Sequence, residues 1–367
     1  MKKSLSIILL IVLAFAMLAG CGAKDSSPET TPPSGAATGD GITKIGLGHI
    51  TSIAKSKDLG TDQDGNDVLP VGQVDTVIVA AAFDKDGKVV KVTIDSAQTK
   101  VNFNKDLSLA SDPQAEIKTK LELKEDYGMV KASKIKKEWY QQAEELGKWM
   151  IGKTVDEIKG MKVKAVDEAH PSVPDVPELA SLVTITVQDY LAALEEAYNN
   201  AVEVAAGGEK LGLGHNVSIA KSVGLGKDAE GNEVPPVAQV DTVMSATLFD
   251  KDGKVVAALI DNAQTKVQFD KEGKVTNRDA EFKTKVELKE DYGMKKASSI
   301  QKEWYEQIAA LGEWMQGKTV DEIKGMKVKA KDEAHPAVPD VPELTSSVTI
   351  SVENYIAAVA EAFENAK

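Results

Sequence analysis

A chain of 367 residues is long enough to form two domains, each with a hydrophobic core. Its apolar content of 42% is that of a globular protein, so the chain as a whole is not disordered. Acidic residues outnumber basic ones by 57 to 44, and no basic cluster occurs beyond the N-terminus. Because nucleic-acid binding requires a positive surface, this composition argues against a nucleic-acid-binding protein.

The N-terminal segment, residues 1–20, predicts a lipoprotein signal peptide. Two lysines precede an apolar stretch at residues 7–18, which is too short for a comfortable membrane span. Cys21 is the only cysteine, and it follows Leu18-Ala19-Gly20 in a pattern that resembles the lipobox of bacterial lipoproteins. The resemblance implies that Cys21 is lipidated and anchors the protein to the extracellular face of the cell membrane.

The domain organisation is that of a tether followed by a duplication. Residues 21–41 are rich in small and polar residues and contain no large apolar side chain, which predicts a disordered tether. The rest of the chain repeats itself; for example, residues 122–129 are identical to residues 287–294. We therefore expect two homologous domains at residues 42–203 and 204–367.

Within one repeat, the hydrophobic pattern predicts an α+β fold with a small antiparallel sheet and packed helices. Residues 74–83 and 89–94 are β-branched runs joined by a hairpin turn at residues 84–88. Residues 116–123 alternate between apolar and polar, as in a half-buried strand. Residues 133–150 place apolar side chains at helical spacing and predict an amphipathic helix.

The end of each repeat is predicted to contain two further helices. Thr154 begins a capping box for a short helix that Gly160 ends. Residues 187–198 predict the last helix, with Thr186 as its N-cap and a short strand at residues 182–187 before it.

A threonine motif precedes the last helix of both repeats. It combines an acidic residue, a serine and a threonine at the same spacing: Glu178, Ser181 and Thr184, then Glu343, Ser346 and Thr349. A helix N-terminus favours a phosphate there. The motif resembles that of the FMN-binding domain family, in which a pattern close to Asp-x-x-Ser-Gly-Ala-Thr carries FMN on its threonine. Leu182 and Ser347 stand where the family has glycine.

The resemblance implies that FMN is attached by a phosphoester to Thr184 and Thr349, and that a separate flavin transferase attaches it. With the lipobox and the tether, two such domains resemble surface lipoproteins of Gram-positive bacteria that serve extracellular electron transfer. Electrons would then pass from a membrane quinol-linked donor to soluble flavins or ferric iron. Such a protein is an electron carrier and need not turn over a substrate of its own. The alternative is a non-redox envelope lipoprotein that binds a peptide or partner and has lost its flavin.

A second candidate site follows from the duplicated segment at residues 122–129. Tyr127, Gly128 and Met129, with their counterparts Tyr292, Gly293 and Met294, could line the flavin ring, because glycine allows close backbone approach and tyrosine or methionine offers a polarizable wall. The same residues are equally compatible with the end of a strand that turns into a helix.

The four histidines occur at equivalent positions in both repeats: His49, His170, His215 and His335. No cysteine or close carboxylate pair accompanies them at ligand spacing, so the sequence predicts no metal site. We assign His49 and His215 structural or flavin-edge roles. The preceding Gly46-x-Gly48 is too short for a dinucleotide-binding fingerprint.

Overall fold

The computed structural model describes residues 41–367. The predicted signal peptide, Cys21 and all but the last residue of the tether lie outside the described residues, and their roles stay predictions. Both repeats combine antiparallel sheets with packed helices, which confirms the α+β class. The strands of the first repeat are Lys44–Ser52 (β1), Gly60–Thr61 (β2), Asp67–Val68 (β3), Val71–Phe83 (β4), Val89–Asn102 (β5), Val163–Lys164 (β6), Val173–Pro174 (β7) and Val202–Glu203 (β8). Its helices are Lys120–Leu123 (α1), Trp139–Met150 (α2), Val155–Lys159 (α3) and Gln188–Asn199 (α4).

The second repeat follows the same order. Its strands are Lys210–Ser218 (β9), Gly226–Lys227 (β10), Glu233–Val234 (β11), Val237–Phe249 (β12), Val255–Gln268 (β13), Val328–Lys329 (β14) and Val338–Pro339 (β15). Its helices are Lys285–Leu288 (α5), Trp304–Met315 (α6), Val320–Lys324 (α7) and Glu353–Glu364 (α8). Short 3-10 turns follow α1 and α5 and contain Tyr127 and Tyr292.

The long strands of each repeat form one antiparallel sheet. The strand order is β5-β4-β1-β8 in the first repeat and β13-β12-β9 in the second. The turn between β4 and β5 is the predicted hairpin: the Asp84 carboxylate accepts hydrogen bonds from the backbone N–H groups of Asp86 and Lys88, both at 2.9 Å. Gly87 supplies the left-handed residue of this turn, with φ of 75°.

The two sheets pack face to face, and the helices cover their outer faces. On β4, successive side chains point alternately toward the helices of the first repeat and toward the sheet of the second repeat, as the two-residue period of a strand requires. Val79 and Ala81 pack against α2 and α4 in the core of the first repeat. Ile78 and Ala80 pack against Leu213 and other residues of the second repeat. Both faces of β4 are therefore buried, which accounts for its continuous apolar sequence.

The Gly-x-Gly segment of β1 is explained by packing. A Cβ atom at Gly46 would lie 1.8 Å from the carbonyl oxygen of Ala197, and one at Gly48 would lie 2.1 Å from that of Ala193. Both carbonyls belong to α4, so only glycine lets the helix approach this strand. In the second repeat, Cβ atoms at Gly212 and Gly214 would lie 1.7 and 1.9 Å from carbonyl oxygens of α8.

Three sequence-based element predictions are wrong. Residues 116–123 do not form a strand, because Thr119 and Glu122 make a capping box that begins α1 instead. Helix α2 begins at Trp139 and not near residue 133: Glu138 is its N-cap residue, and the Gln141 side-chain oxygen accepts a hydrogen bond from the Glu138 backbone N–H at 2.9 Å. Residues 182–187 form turns and bends, not a strand.

The predicted N-cap of the last helix is also wrong. Val187 occupies the N-cap position of α4, without a side-chain hydrogen bond. The Thr186 hydroxyl is buried and has no hydrogen-bond partner among the described residues. The capping box at Thr154 and the end of α3 at Gly160 agree with the prediction.

Substitution of Gly48 by alanine should destabilise the protein by about 3 kcal/mol, because backbone atoms of α4 cannot rotate away from the added methyl group. Gly60→Ala is the matched control: Gly60 also lies in a strand, but nothing lies within 4 Å of an added Cβ there. The control should change stability by less than about 0.5 kcal/mol. Urea denaturation followed by circular dichroism measures both, and equal effects of the two substitutions would contradict the packing explanation.

Candidate functional site

Thr184 lies at a surface cleft of about 280 Å³ in the first repeat. The cleft is also lined by Met129, so the structure brings together two of the residues that the sequence singled out. Thr184 is half-buried. Apolar lining comes from Val173 and Ile185, and polar lining from lysine and histidine side chains.

Helix α2 positions both sides of this cleft through two buried polar residues. The Glu138 carboxylate accepts hydrogen bonds from the backbone N–H groups of Met129 (2.7 Å) and Val130 (3.1 Å). One turn later, the Gln142 side-chain oxygen accepts from the backbone N–H (2.8 Å) and the hydroxyl (3.2 Å) of Thr184. Residues four apart share one helix face, so a single face of α2 fixes the positions of Met129 and Thr184.

The second repeat has the same arrangement. Glu303 accepts hydrogen bonds from the backbone N–H groups of Met294 and Lys295, at 2.8 and 3.0 Å. Gln307 accepts from the N–H (2.8 Å) and the hydroxyl (3.3 Å) of Thr349. Sequence reasoning missed these glutamates and glutamines. The sequence pattern that could have revealed them is a glutamate and a glutamine four residues apart, within or beside the apolar stripe of the same helix in both repeats.

The other predicted site residues do not line the cleft. The acidic and serine positions of the motif are exposed on the turns before the threonines: Glu178, Ser181, Glu343 and Ser346. Tyr127 is half-buried, and the Lys120 ammonium lies over its ring, 4.9 Å from the centroid. Lys285 covers Tyr292 in the same way, at 5.0 Å. Gly128 and Gly293 are exposed, and each has φ of 75°, so glycine is needed there for backbone geometry.

Basic side chains from three segments converge on the cleft: Lys134, Lys164 and His170. Lys164 forms an ion pair with Asp175 at 2.8 Å, and His170 with Asp167 at 2.7 Å. All of these side chains are exposed, so the pairs can rearrange around an incoming anion at little cost. The hydrogen bond from His170 lowers the pKa of Asp167.

The hydroxyl of Thr184 is not activated as a nucleophile by this arrangement. Its hydrogen-bond partner, the Gln142 side-chain oxygen, is an amide oxygen and does not act as a base. The geometry therefore holds the hydroxyl and the backbone of Thr184 in place, and Gln142 does not serve as a base for the hydroxyl.

His49 and His215 do not line this cleft but lie where the two repeats meet. His215, on β9, bonds through Nε2 to Asp95 of the first repeat at 2.8 Å, and through Nδ1 to Glu361 of α8 at 3.1 Å. His49, on β1, bonds through Nδ1 to Glu196 of α4 at 3.0 Å. Glu196 and Glu361 also accept hydrogen bonds from the backbone N–H groups of His49 and His215. These N–H groups lie on strand edges that have no neighbouring strand at that position.

The charge of His215 is set by its carboxylate neighbours. Burial by itself would lower the pKa of this imidazole, but the hydrogen bonds to Asp95 and Glu361 outweigh burial and raise the pKa to about 10. Glu122 of the first repeat also faces the ring, at 3.7 Å from Nδ1. At neutral pH His215 is thus an imidazolium that links the two repeats.

Replacement of Gln142 by leucine should destabilise the protein by about 2 kcal/mol, because the backbone N–H of Thr184 would lose its partner. Glu144→Leu on the exposed face of the same helix is the matched control and should change stability by less than about 0.5 kcal/mol. Amide hydrogen exchange at Thr184 should accelerate in the Gln142 variant alone. An unchanged exchange rate would show that Gln142 does not hold this residue.

The stability of the protein should fall as the pH rises from about 6.5 to 10. An imidazole whose pKa is raised in the folded state stabilises the fold fully below its unfolded pKa, near 6.5, and this contribution is lost as the pH approaches the folded value. Urea denaturation at pH 6.5, 8 and 10 should show a flatter profile for His215→Gln than for the wild type. His170→Gln, at an exposed histidine, is the control and should follow the wild type. Parallel profiles for the wild type and the His215 variant would contradict this role.

Within residues 41–367, no helix is both long enough and apolar enough to cross a membrane. Comparison of the chain with family models, with curated proteins and with solved structures finds no match.

Proposed function

We propose that the protein is a surface carrier of covalent FMN, attached by phosphoesters to Thr184 and Thr349, that relays electrons outside the cell. The observation that carries the proposal is the equivalent presentation of the two threonines. In both repeats the threonine is half-buried, and its backbone N–H and hydroxyl are held by one buried glutamine. This keeps the proposed attachment point rigid, and in the first repeat Thr184 also lines a cleft.

The residues at the first cleft fit an FMN phosphate. Lys134, Lys164 and His170 offer cationic or hydrogen-bonding groups near Thr184, which suits a phosphate group. Met129, Val173 and Ile185 provide polarizable and apolar surface next to them, which suits the apolar part of such a ligand. When bound, FMN supplies the electron-transfer chemistry, and the protein supplies attachment and orientation.

Within residues 41–367, the Thr184 hydroxyl donates to an amide oxygen and not to a base, which is consistent with attachment by a separate flavin transferase. Gln142 orients the hydroxyl, and the transferase would remove its proton so that the oxygen attacks the FMN phosphorus of a flavin adenine dinucleotide. The phosphorus–oxygen bond to the adenylate would break, and AMP would leave. A lipid on Cys21 would hold the carrier at the extracellular face of the membrane, near a quinol-linked donor. Soluble flavins or ferric iron would accept the electrons.

A second candidate function is the binding of an apolar small molecule or peptide without redox chemistry. It is favoured by the cavity of about 570 Å³ between the repeats, which has a largely apolar lining that includes Leu47, Ile260 and Ile308. Cavities of this size, with a few polar groups, are typical of ligand-binding sites. A native protein without flavin that co-purifies with a bound molecule would favour this alternative.

Co-expression with a bacterial flavin transferase should add two FMN groups to each chain, as measured by intact-protein mass spectrometry. Thr184→Val and Thr349→Val should each remove one of them, because valine keeps the side-chain shape but has no hydroxyl. Thr186→Val, at a half-buried threonine two residues from the proposed attachment point, is the matched control and should keep both groups. An unmodified mass of the wild-type chain, or retention of two groups in the double variant, would refute the proposal.

A further inference from the structure

A cluster of titratable groups at the repeat interface lies outside the proposed flavin sites. His49 comes from β1 and Glu196 from α4 of the first repeat, and Glu287 comes from α5 of the second. One potential ligand atom from each of these residues lies within 4.8 Å of the others. The residues are far apart in the sequence, so spacing along the chain could not reveal them.

His49 has one ring nitrogen without a partner. Its side chain is only 6% exposed, and no described residue forms a hydrogen bond with Nε2. The nearest charged oxygen is Glu287 Oε2, at 3.6 Å, which is too long for a hydrogen bond. Such orphaned polar atoms are rare in protein interiors and call for an explanation.

The other ring nitrogen fixes the direction of the free lone pair. Nδ1 lies 3.0 Å from Glu196 Oε1 and donates its proton there, which leaves the lone pair on Nε2 directed away from Glu196. A carboxylate that orients a histidine through its second nitrogen is a common feature of metal sites. Glu196 is in turn fixed, because its other oxygen accepts the backbone N–H of His49.

His215, the equivalent histidine of the second repeat, has hydrogen-bond partners at both ring nitrogens. In His215, Nε2 bonds to Asp95 at 2.8 Å and Nδ1 to Glu361 at 3.1 Å, so neither nitrogen is left over. These are the distances of charge-assisted hydrogen bonds. At a tetrahedral zinc ion, by contrast, a nitrogen and an oxygen ligand lie about 3.3 Å apart, given bond lengths near 2.0 Å. The 3.6 Å between His49 Nε2 and Glu287 is near this zinc distance, and so is the 3.7 Å between His215 Nδ1 and Glu122. The two histidines differ in that both ring nitrogens of His215 already have closer partners, whereas Nε2 of His49 has none among the described residues.

We propose that His49 Nε2 and the Glu287 carboxylate bind a divalent transition-metal cation, with Zn²⁺ as the best-suited ion and Glu196 as the residue that orients the histidine. An imidazole combined with carboxylates is a ligand set that zinc accepts. The proposal does not depend on FMN at either threonine.

The charge around the site suits a cation. Besides the two glutamates, Asp261 is buried nearby, and its charge and that of His49 act on each other. Glu196, Glu287 and Asp261 act on His49 from three elements, and a divalent ion bound at Nε2 would offset part of their negative charge.

The site also has a route for the ion and for water ligands. Glu287 and Asp261 both line the cavity of about 570 Å³ between the repeats. An ion at Nε2 can therefore reach the site from this cavity, and water from it can complete the coordination sphere.

Zinc binding to the full chain, purified without a histidine tag and treated with chelator, tests the proposal. Titration against a chromophoric zinc indicator and elemental analysis after dialysis should give one tightly bound Zn²⁺ per chain. Glu287→Gln keeps the shape of a side chain that is 33% exposed, so it should fold, and it should weaken zinc binding at least tenfold. His49→Gln should abolish tight binding, and circular dichroism checks that each variant is folded.

Glu122→Gln is the matched control, since Glu122 is the counterpart of Glu287 beside His215. It should bind zinc as the wild type does, and so should His170→Gln, which removes an exposed histidine–aspartate pair. Wild-type protein that binds no zinc at micromolar concentration would overturn the proposal and assign His49 a purely electrostatic role. Unchanged affinity in Glu287→Gln, or equal loss in Glu122→Gln, would overturn it as well.

Discussion

Burial of the sheet faces between the two repeats is the constraint on which the rest of the structure depends. The helices of one repeat cover only one face of its sheet, and the other face carries Ile78, Ala80 and Ala82. In an isolated repeat these side chains would be exposed to water, at a cost of about 25 cal/mol for each Å² of apolar surface. Each repeat therefore completes the core of the other, and the duplication is a structural requirement.

The same packing decides which polar groups meet. Because the sheets lie face to face, β1 and β9 are brought beside α5 and α1 of the opposite repeat, so that His49 faces Glu287 and His215 faces Glu122. Neither cluster exists within a single repeat. The surroundings of the two threonines are built differently: helix α2 or α6 and the turn that it holds belong to one repeat. The chain thus offers one candidate site within each repeat, at the threonine, and histidine clusters that require both repeats.

The sequence predicted those parts of the fold that depend on local chemistry. The hairpin at Asp84 and the helix that begins after Thr154 follow from hydrogen bonds between residues two to four positions apart. The prediction for residues 116–123 was wrong because the apolar alternation competed with the capping box at Thr119, and the box determined the outcome. Met129 and Thr184 were both predicted as site residues, but the glutamine that holds Thr184 lies 42 positions away and could not be derived from local pattern.

The two halves share their buried framework and differ in what surrounds it. Gln142 and Gln307 hold their threonines with the same hydrogen bonds, whereas Lys134 at the first cleft corresponds to Ser299 in the second repeat. Likewise both interface histidines are buried among carboxylates, but only His49 keeps a nitrogen without a partner. Substitutions at buried polar positions leave unpaired groups and cost stability, while exposed positions change freely. Most residues that line the first cleft have identical counterparts in the second repeat, and Lys331 stands where the first repeat has Val166. A gained lysine thus offsets the loss of Lys134, so the two proposed threonine sites share the same glutamine geometry and a similar basic charge.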